Sequence, residues 1–157
     1  MDKTYVFIMT HLGSNWEFIS KVLNQNPRVS ATRTNLIYTR VIDINHLYDM
    51  SLYERQSNEY KMIFCDFLNY NYNLGCKDLL KLCKFIYLIR RPDATLEELV
   101  ANEGYSPHHA CDYYCFRLQR MAQFSKATGG LFLTWDDIAS QKGFPLIEKY
   151  LSLKMTL

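Results

Sequence analysis

A chain of 157 residues, 48% hydrophobic and 15% aromatic, has enough apolar mass for one core, which excludes a disordered segment and makes staples unnecessary. A formal net charge of +2, with no run of five or six like charges, speaks against nucleic acid or an anionic membrane as partner. Five cysteines without a CxxC pair, and a first apolar run too short for a secretion signal or a membrane span, predict free thiols in a reducing, cytoplasmic setting.

Neither a repeat nor a Pro/Gly-rich linker interrupts the chain, so residues 1–157 read as a single domain. Residues 4–10, TYVFIMT, form an unbroken apolar run, the pattern of a strand buried on both faces. The turn HLGS follows. Ser14 and Glu17 match a capping box, and Trp16, Ile19, Val22 and Leu23 carry helical spacing up to Asn26 and Pro27. Residues 28–59 are the least legible, with one or two helices expected around Ile44 to Met50. Residues 60–65 read as a second buried strand, 77–84 as a short helix and 85–89, FIYLI, as the clearest strand. Asp93 is placed to cap a helix reaching about Asn102. Ser106 and Pro107 open a long helix with Cys111, Tyr114, Cys115, Leu118, Met121 and Ala122 as its apolar face, closed by Gly129 and Gly130. Residues 131–135 read as a strand, and Pro145 as the start of a last helix carrying Leu146, Ile147, Tyr150 and Leu151. Alternating strands and helices predict an α/β fold: a parallel central sheet flanked by helices in three layers. Ligands of such sheets bind at the carboxyl ends of the strands.

Two loops at that edge have suitable chemistry. The first joins a buried strand to a helix start, where unpaired N–H groups and the positive end of the helix dipole favour an anion. Gly13 permits close backbone approach, Ser14 and Asn15 add donors, and His11 can add charge. The competing reading is a tight turn with a well-capped helix and no ligand. A Walker A pattern, GxxxxGK(S/T), is absent, which disfavours an ordinary ATP or GTP hydrolase. The second loop is Arg90-Arg91-Pro92, whose guanidiniums suit bidentate phosphate recognition. Its bland alternative, a surface salt bridge to Asp93, Glu97 or Glu98, applies more to Arg91 than to Arg90. His108, Cys111 and Cys115 share a helical face, but three ligands from one helix do not close a tetrahedron and no metal is expected. Tyr70 and Tyr72, among asparagines, are ordinary turn residues that are also able to contact sugars.

The stretch from Thr10 to Trp16, followed by LNQNPRV at 23–29, resembles the opening of the sulfotransferases, where a strand leads into a PKSGTTW-like loop and a helix ends in LxxxPxV. The strand ending in Arg90-Arg91-Pro92 is similar to that family's second signature, and Leu131 to Ile138 to its late strand and acidic pair. The resemblance implies a sulfotransferase fold, related to the P-loop kinases. It further implies 3′-phosphoadenosine 5′-phosphosulfate (PAPS) as donor, with sulfonate passed to a hydroxyl or amine of a small-molecule or carbohydrate acceptor. By position, His11, Leu12, Gly13, Ser14, Asn15 and Trp16 hold the 5′-phosphosulfate and Arg90 the 3′-phosphate.

Two positions depart from the family. His11 stands where a Lys or Arg normally stabilises the leaving phosphate oxygen, and imidazole is only partly charged at neutral pH. Glu98 stands where a Ser helps hold the 3′-phosphate, with Thr95 one turn earlier as a partial substitute. Asp66, just past the second strand, is the first candidate for general base, ahead of Glu98 and His108. The residues therefore leave three functions open: a small sulfotransferase, a catalytically weakened binding module, and a nucleotide or small-molecule kinase. Oligomeric state is open as well.

Overall fold

The computed structural model describes residues 4–33, 60–66 and 83–152. The helices expected around Ile44 to Met50 and most of that expected at 77–84, together with Tyr70 and Tyr72, lie outside the described residues. Among the described residues five strands form one sheet: β1 (Thr4–Thr10), β2 (Val29–Arg33), β3 (Tyr60–Asp66), β4 (Cys83–Ile89) and β5 (Leu131–Thr134). All four pairings are parallel, in the order β2-β3-β1-β4-β5. Around them lie α1 (Trp16–Leu23), α2 (Pro92–Ala101), α3 (Pro107–Thr128), α4 (Trp135–Ala139) and α5 (Gly143–Leu151).

The strands alternate their side chains between two apolar layers, as a two-residue period requires. Val6, Ile8, Met62, Ile86, Leu88 and Leu133 pack with Ile19 and Leu23 of α1 and Phe144, Ile147 and Leu151 of α5. The opposite face presents Phe7, whose ring stacks on Phe85 (5.7 Å between centroids), and Phe85 and Tyr87 meet Phe124 of α3. Helices therefore cover both faces of the sheet, which is why β1 and β4 are apolar almost without a break. Each fully buried large side chain contributes about 2 kcal/mol, so this sandwich supplies the main drive to fold.

Local signals were met unevenly. β1 spans the expected residues, and α3 opens and closes where expected: Ser106 caps it by accepting from the His109 N–H (3.2 Å). α1 starts later than its capping signal. Its N-cap is Asn15, held in the left-handed region at φ 59° with no side-chain cap, so the Ser14–Glu17 box does not form. The N-cap of α2 is Arg91, and Asp93 sits in the first turn instead of capping. A real capping box occurs at α4, where Thr134 and Asp137 bond reciprocally and Trp135 begins a helix instead of ending a strand. α5 starts at Gly143, two residues before Pro145, and Leu146 is exposed. Cys83 and Lys84 belong to β4, not to a preceding helix. β2 lay in the stretch that the sequence left unread.

The apolar face of α3 is rotated from the expected one. Ala110, Tyr113, Tyr114, Arg117, Met121 and Phe124 are buried, whereas Cys111 and Cys115 are exposed free thiols. His108 is exposed and pairs with Asp112 (3.3 Å), and the described residues contain no cluster of three metal-ligating side chains. Among the described residues no helix is long and apolar enough to cross a membrane.

Candidate functional site

The strand order decides where a ligand crevice opens. The chain leaves β1 toward β2 on one side of the sheet and leaves β4 toward β5 on the other, although β1 and β4 are neighbours. Their connections diverge at the carboxyl edge, the switch point at which open α/β sheets bind ligands. The loop 11–15 follows β1 and the loop beginning at Arg90 follows β4, so both sequence-derived loops meet there.

They also touch. Arg90 Nη1 donates to the Gly13 carbonyl at 2.8 Å, joining motifs 77 residues apart in the chain. The Arg90 guanidinium lies 6.0 Å from the centre of the Trp135 ring. Gly13 sits at φ +72°, a conformation that favours glycine, and a Cβ there would meet Thr95 O at 3.4 Å and the Glu98 stem at 3.5 Å. Beside this bridge opens a cleft of about 250 Å³ lined by Leu12, Gly13, Asn15, Trp16, Glu17, Arg90, Glu98 and Glu103. Ser14 lies deeper and is fully buried. Its Oγ, Thr10 Oγ1 and Arg90 Nε are buried without a hydrogen-bond partner among the described residues. Thr10 Oγ1 closes β1 and the other two atoms belong to the adjacent loops; buried polar atoms without partners are uncommon in a folded core.

His11 does not add the charge that the sequence allowed for. It is 1% exposed, and both ring nitrogens are engaged. Nδ1 lies 2.7 Å from the Leu12 carbonyl, which only accepts, so Nδ1 carries the proton. Nε2 accepts from the Arg90 backbone N–H at 3.2 Å, so it carries none. Desolvation, reinforced by the Arg90 and Arg117 guanidiniums and partly offset by the Leu12 carbonyl, pulls its pKa down to about 4. The ring is a neutral connector between the two loops.

The other expected residues fall into three groups. Glu98 does flank the cleft; its stem packs on Gly13 and its carboxylate accepts from Asn102 Nδ2 at 2.8 Å. Thr95 does not reach the cleft: it is fully buried and its hydroxyl donates to the Arg90 carbonyl (3.4 Å). Arg91 points its guanidinium at Asp93 (2.7 Å) on the surface, as the bland reading of that residue had it. Asp66 ends β3 in register with Thr10, which puts its backbone at the same edge; its side chain lies outside the described residues.

Sequence reasoning placed Glu98 at this site and missed Glu103; with Glu17 they set three carboxylates against one guanidinium around the cleft. Buried Arg117 and Tyr113 stand behind the loops beside Tyr114, which was expected to face inward; only a correct phase for α3 would have found the other two.

The fold is an α/β one, a parallel sheet flanked by helices, and it matches that of solved sulfotransferases and of a shikimate kinase. No protein-family model matches the sequence, and no curated protein matches it. The fold has solved counterparts. Mouse sulfotransferase SULT7A1, crystallised with PAP, aligns at TM-score 0.65 and 15% identity over 100% of this chain and 61% of that one. A sulfotransferase from Alicyclobacillus acidocaldarius aligns at 0.65 and 11%, over 100% and 84%. Shikimate kinase from Bacteroides thetaiotaomicron aligns at 0.63 and 13%, over 96% and 99%. The chain thus spans about three fifths of the mouse protein's length. At these identities the likeness is one of fold.

Proposed function

We propose that this chain is a nucleotide-binding domain of the sulfotransferase fold, taking a PAPS-class nucleotide in the cleft between the loops after β1 and β4, with sulfonate transfer weakened. The observation that carries this reading is the Arg90–Gly13 bridge at the switch point beside an open cleft. It brings a guanidinium and a glycine-bearing helix-start loop to one place, as recognition of a bisphosphorylated ligand needs. Arg90, which lines the cleft and whose Nε has no hydrogen-bond partner among the described residues, suits such a ligand. The fold neighbour solved with PAP supports the nucleotide class.

His11 favours weakened transfer over an efficient enzyme. When an acceptor oxygen attacks the sulfur of PAPS, the bond to the bridging phosphate oxygen breaks, and that oxygen gains charge that a cation must meet. A buried imidazole with a pKa near 4 offers none at neutral pH. The carboxylates of Glu17, Glu98 and Glu103 raise the local negative potential further. Full sulfonate transfer to a small-molecule or carbohydrate hydroxyl or amine is the second reading, supported by the Arg90 placement and by the two sulfotransferase neighbours. A kinase reading has only the shikimate kinase fold in its favour, since the Walker lysine is missing.

A thermal-shift comparison tests the proposal. Ligand bound only by the folded state raises stability by RT ln(1 + [L]/Kd), about 2.7 kcal/mol at a hundredfold excess over Kd. Adenosine 3′,5′-bisphosphate should raise Tm, ATP with magnesium should not, and conversion of PAPS should be slow. A shift with ATP and magnesium alone would transfer the site to the kinase reading; no shift with either ligand refutes nucleotide binding.

A further inference from the structure

The two loops that make the cleft are both tied to one turn of α3. The Leu12 backbone N–H donates to the Tyr113 hydroxyl at 2.7 Å. The Tyr114 hydroxyl donates to the Arg90 carbonyl at 2.6 Å. Between these anchors runs a continuous hydrogen-bonded path, in which His11 Nδ1 bonds the Leu12 carbonyl and the Arg90 N–H bonds His11 Nε2. The Tyr114 ring meets the His11 ring edge-on, 5.3 Å between centroids.

We propose that Tyr113 and Tyr114 are positioning residues for the nucleotide cleft: adjacent on α3, they tether the loop after β1 at Leu12 and the loop after β4 at Arg90, and so set the gap across which the ligand is held. This rests on the nucleotide reading above. Neither tyrosine lines the cleft, and both bond backbone atoms, so their effect passes through the loops. Both side chains are buried. Tyr113 packs in a cluster with Leu99 and Ala110, against which Leu12, Leu96 and Tyr105 lean, and the Arg117 guanidinium lies 4.7 Å from its ring centre. Burial pushes the Tyr114 pKa up, which keeps its hydroxyl protonated as the donor that the Arg90 carbonyl requires. The successive positions 113 and 114 reach two different loops because they point about 100° apart on a helix.

Tyr113→Phe and Tyr114→Phe keep each ring and delete one hydroxyl, so the fold is retained. Tyr60→Phe is the control: it removes a comparable bond, to the Leu151 carbonyl at 2.8 Å, from a strand and helix away from the cleft. Two quantities are read in each protein, amide exchange at Leu12 and Arg90 without ligand, and the Kd for adenosine 3′,5′-bisphosphate. Tyr113→Phe removes the acceptor of the Leu12 N–H and should speed its exchange about tenfold; Tyr114→Phe frees only the Arg90 carbonyl and should speed exchange of the Arg90 N–H, held by His11, about threefold by loosening the loop; Tyr60→Phe should leave both unchanged. Each cleft variant should weaken binding about fivefold beyond the control, the effect of one lost hydrogen bond. Unchanged exchange in both variants overturns the tethers. Faster exchange with control-like Kd overturns their effect on the ligand. A wild-type protein that binds no bisphosphate at all sinks the nucleotide reading instead, and exchange alone then decides the tethers.

Discussion

Acidification should weaken this fold through a single buried ring. His11 titrates at about 4 in the folded protein against 6.5 for the free side chain. Between those values the unfolded chain holds a proton that the folded chain refuses, so stability falls as pH falls. The contribution is fully present above about pH 6.5 and is lost by about pH 4. The whole shift corresponds to about 3 kcal/mol, and the portion lost between pH 7 and pH 5 to about 2 kcal/mol. The cause is geometric. Protonating Nε2 would set two N–H donors against each other at the Arg90 bond, in a pocket already facing the Arg90 and Arg117 guanidiniums. Urea denaturation at pH 7, 6 and 5 measures the loss. His11→Gln isolates it, because an amide reproduces one donor and one acceptor but does not titrate. The variant should show about 2 kcal/mol less destabilisation than the wild type over the same range. Imidazole NMR shifts should place the His11 ring in its Nδ1–H form at pH 6. A ring that titrates near 6.5, or parallel pH profiles for the two proteins, would refute the connector role.

Two further substitutions probe the cleft and the sheet. Glu98→Gln removes one of three carboxylates beside Arg90 and should tighten adenosine 3′,5′-bisphosphate binding about threefold, an effect that shrinks with added salt; calorimetry at two ionic strengths checks it. Gly130→Ala should lower stability by about 3 kcal/mol. A Cβ there would stand 2.5 Å from the Phe85 carbonyl at φ +132°, whereas Gly129→Ala meets nothing within 4 Å and should suffer only from its φ of +63°; chemical denaturation of the two side by side gives the contrast.

The legible parts of this chain were those dictated by local patterning. The run from Thr4 to Thr10 reads as a doubly buried strand because a parallel strand covered on both faces must be apolar throughout, and it is one. Ser106-Pro107 and Gly129 bracket α3 by backbone chemistry alone. Alternation of strands and helices sufficed for the class of fold, and the loops at 11–15 and 90–91 were recognisable because glycine and arginine at strand ends carry physical meaning by themselves. β2 escaped because its residues, VSATR, hold little apolar signal, so a strand of five residues is identified only by its pairing with β3.

The phase of α3 was beyond local reading. A buried arginine and Tyr113 disguise the inward face, which Tyr114 and Met121 share as expected, while cysteine, usually an interior residue, lies outside. The state of His11 depended still more on the third dimension. Its charge is set by Arg90 and Arg117, 79 and 106 positions away, and by the exclusion of water between two loops that only the sheet order brings together. The same holds for the three carboxylates around the cleft, drawn from two helices and a loop. Sequence alone thus determined most of the described strands and helices and where an anion-compatible turn lies. The tertiary structure decided whether that turn carries a charge, because desolvation and long-range neighbours, not residue type, govern the protonation of a buried ring.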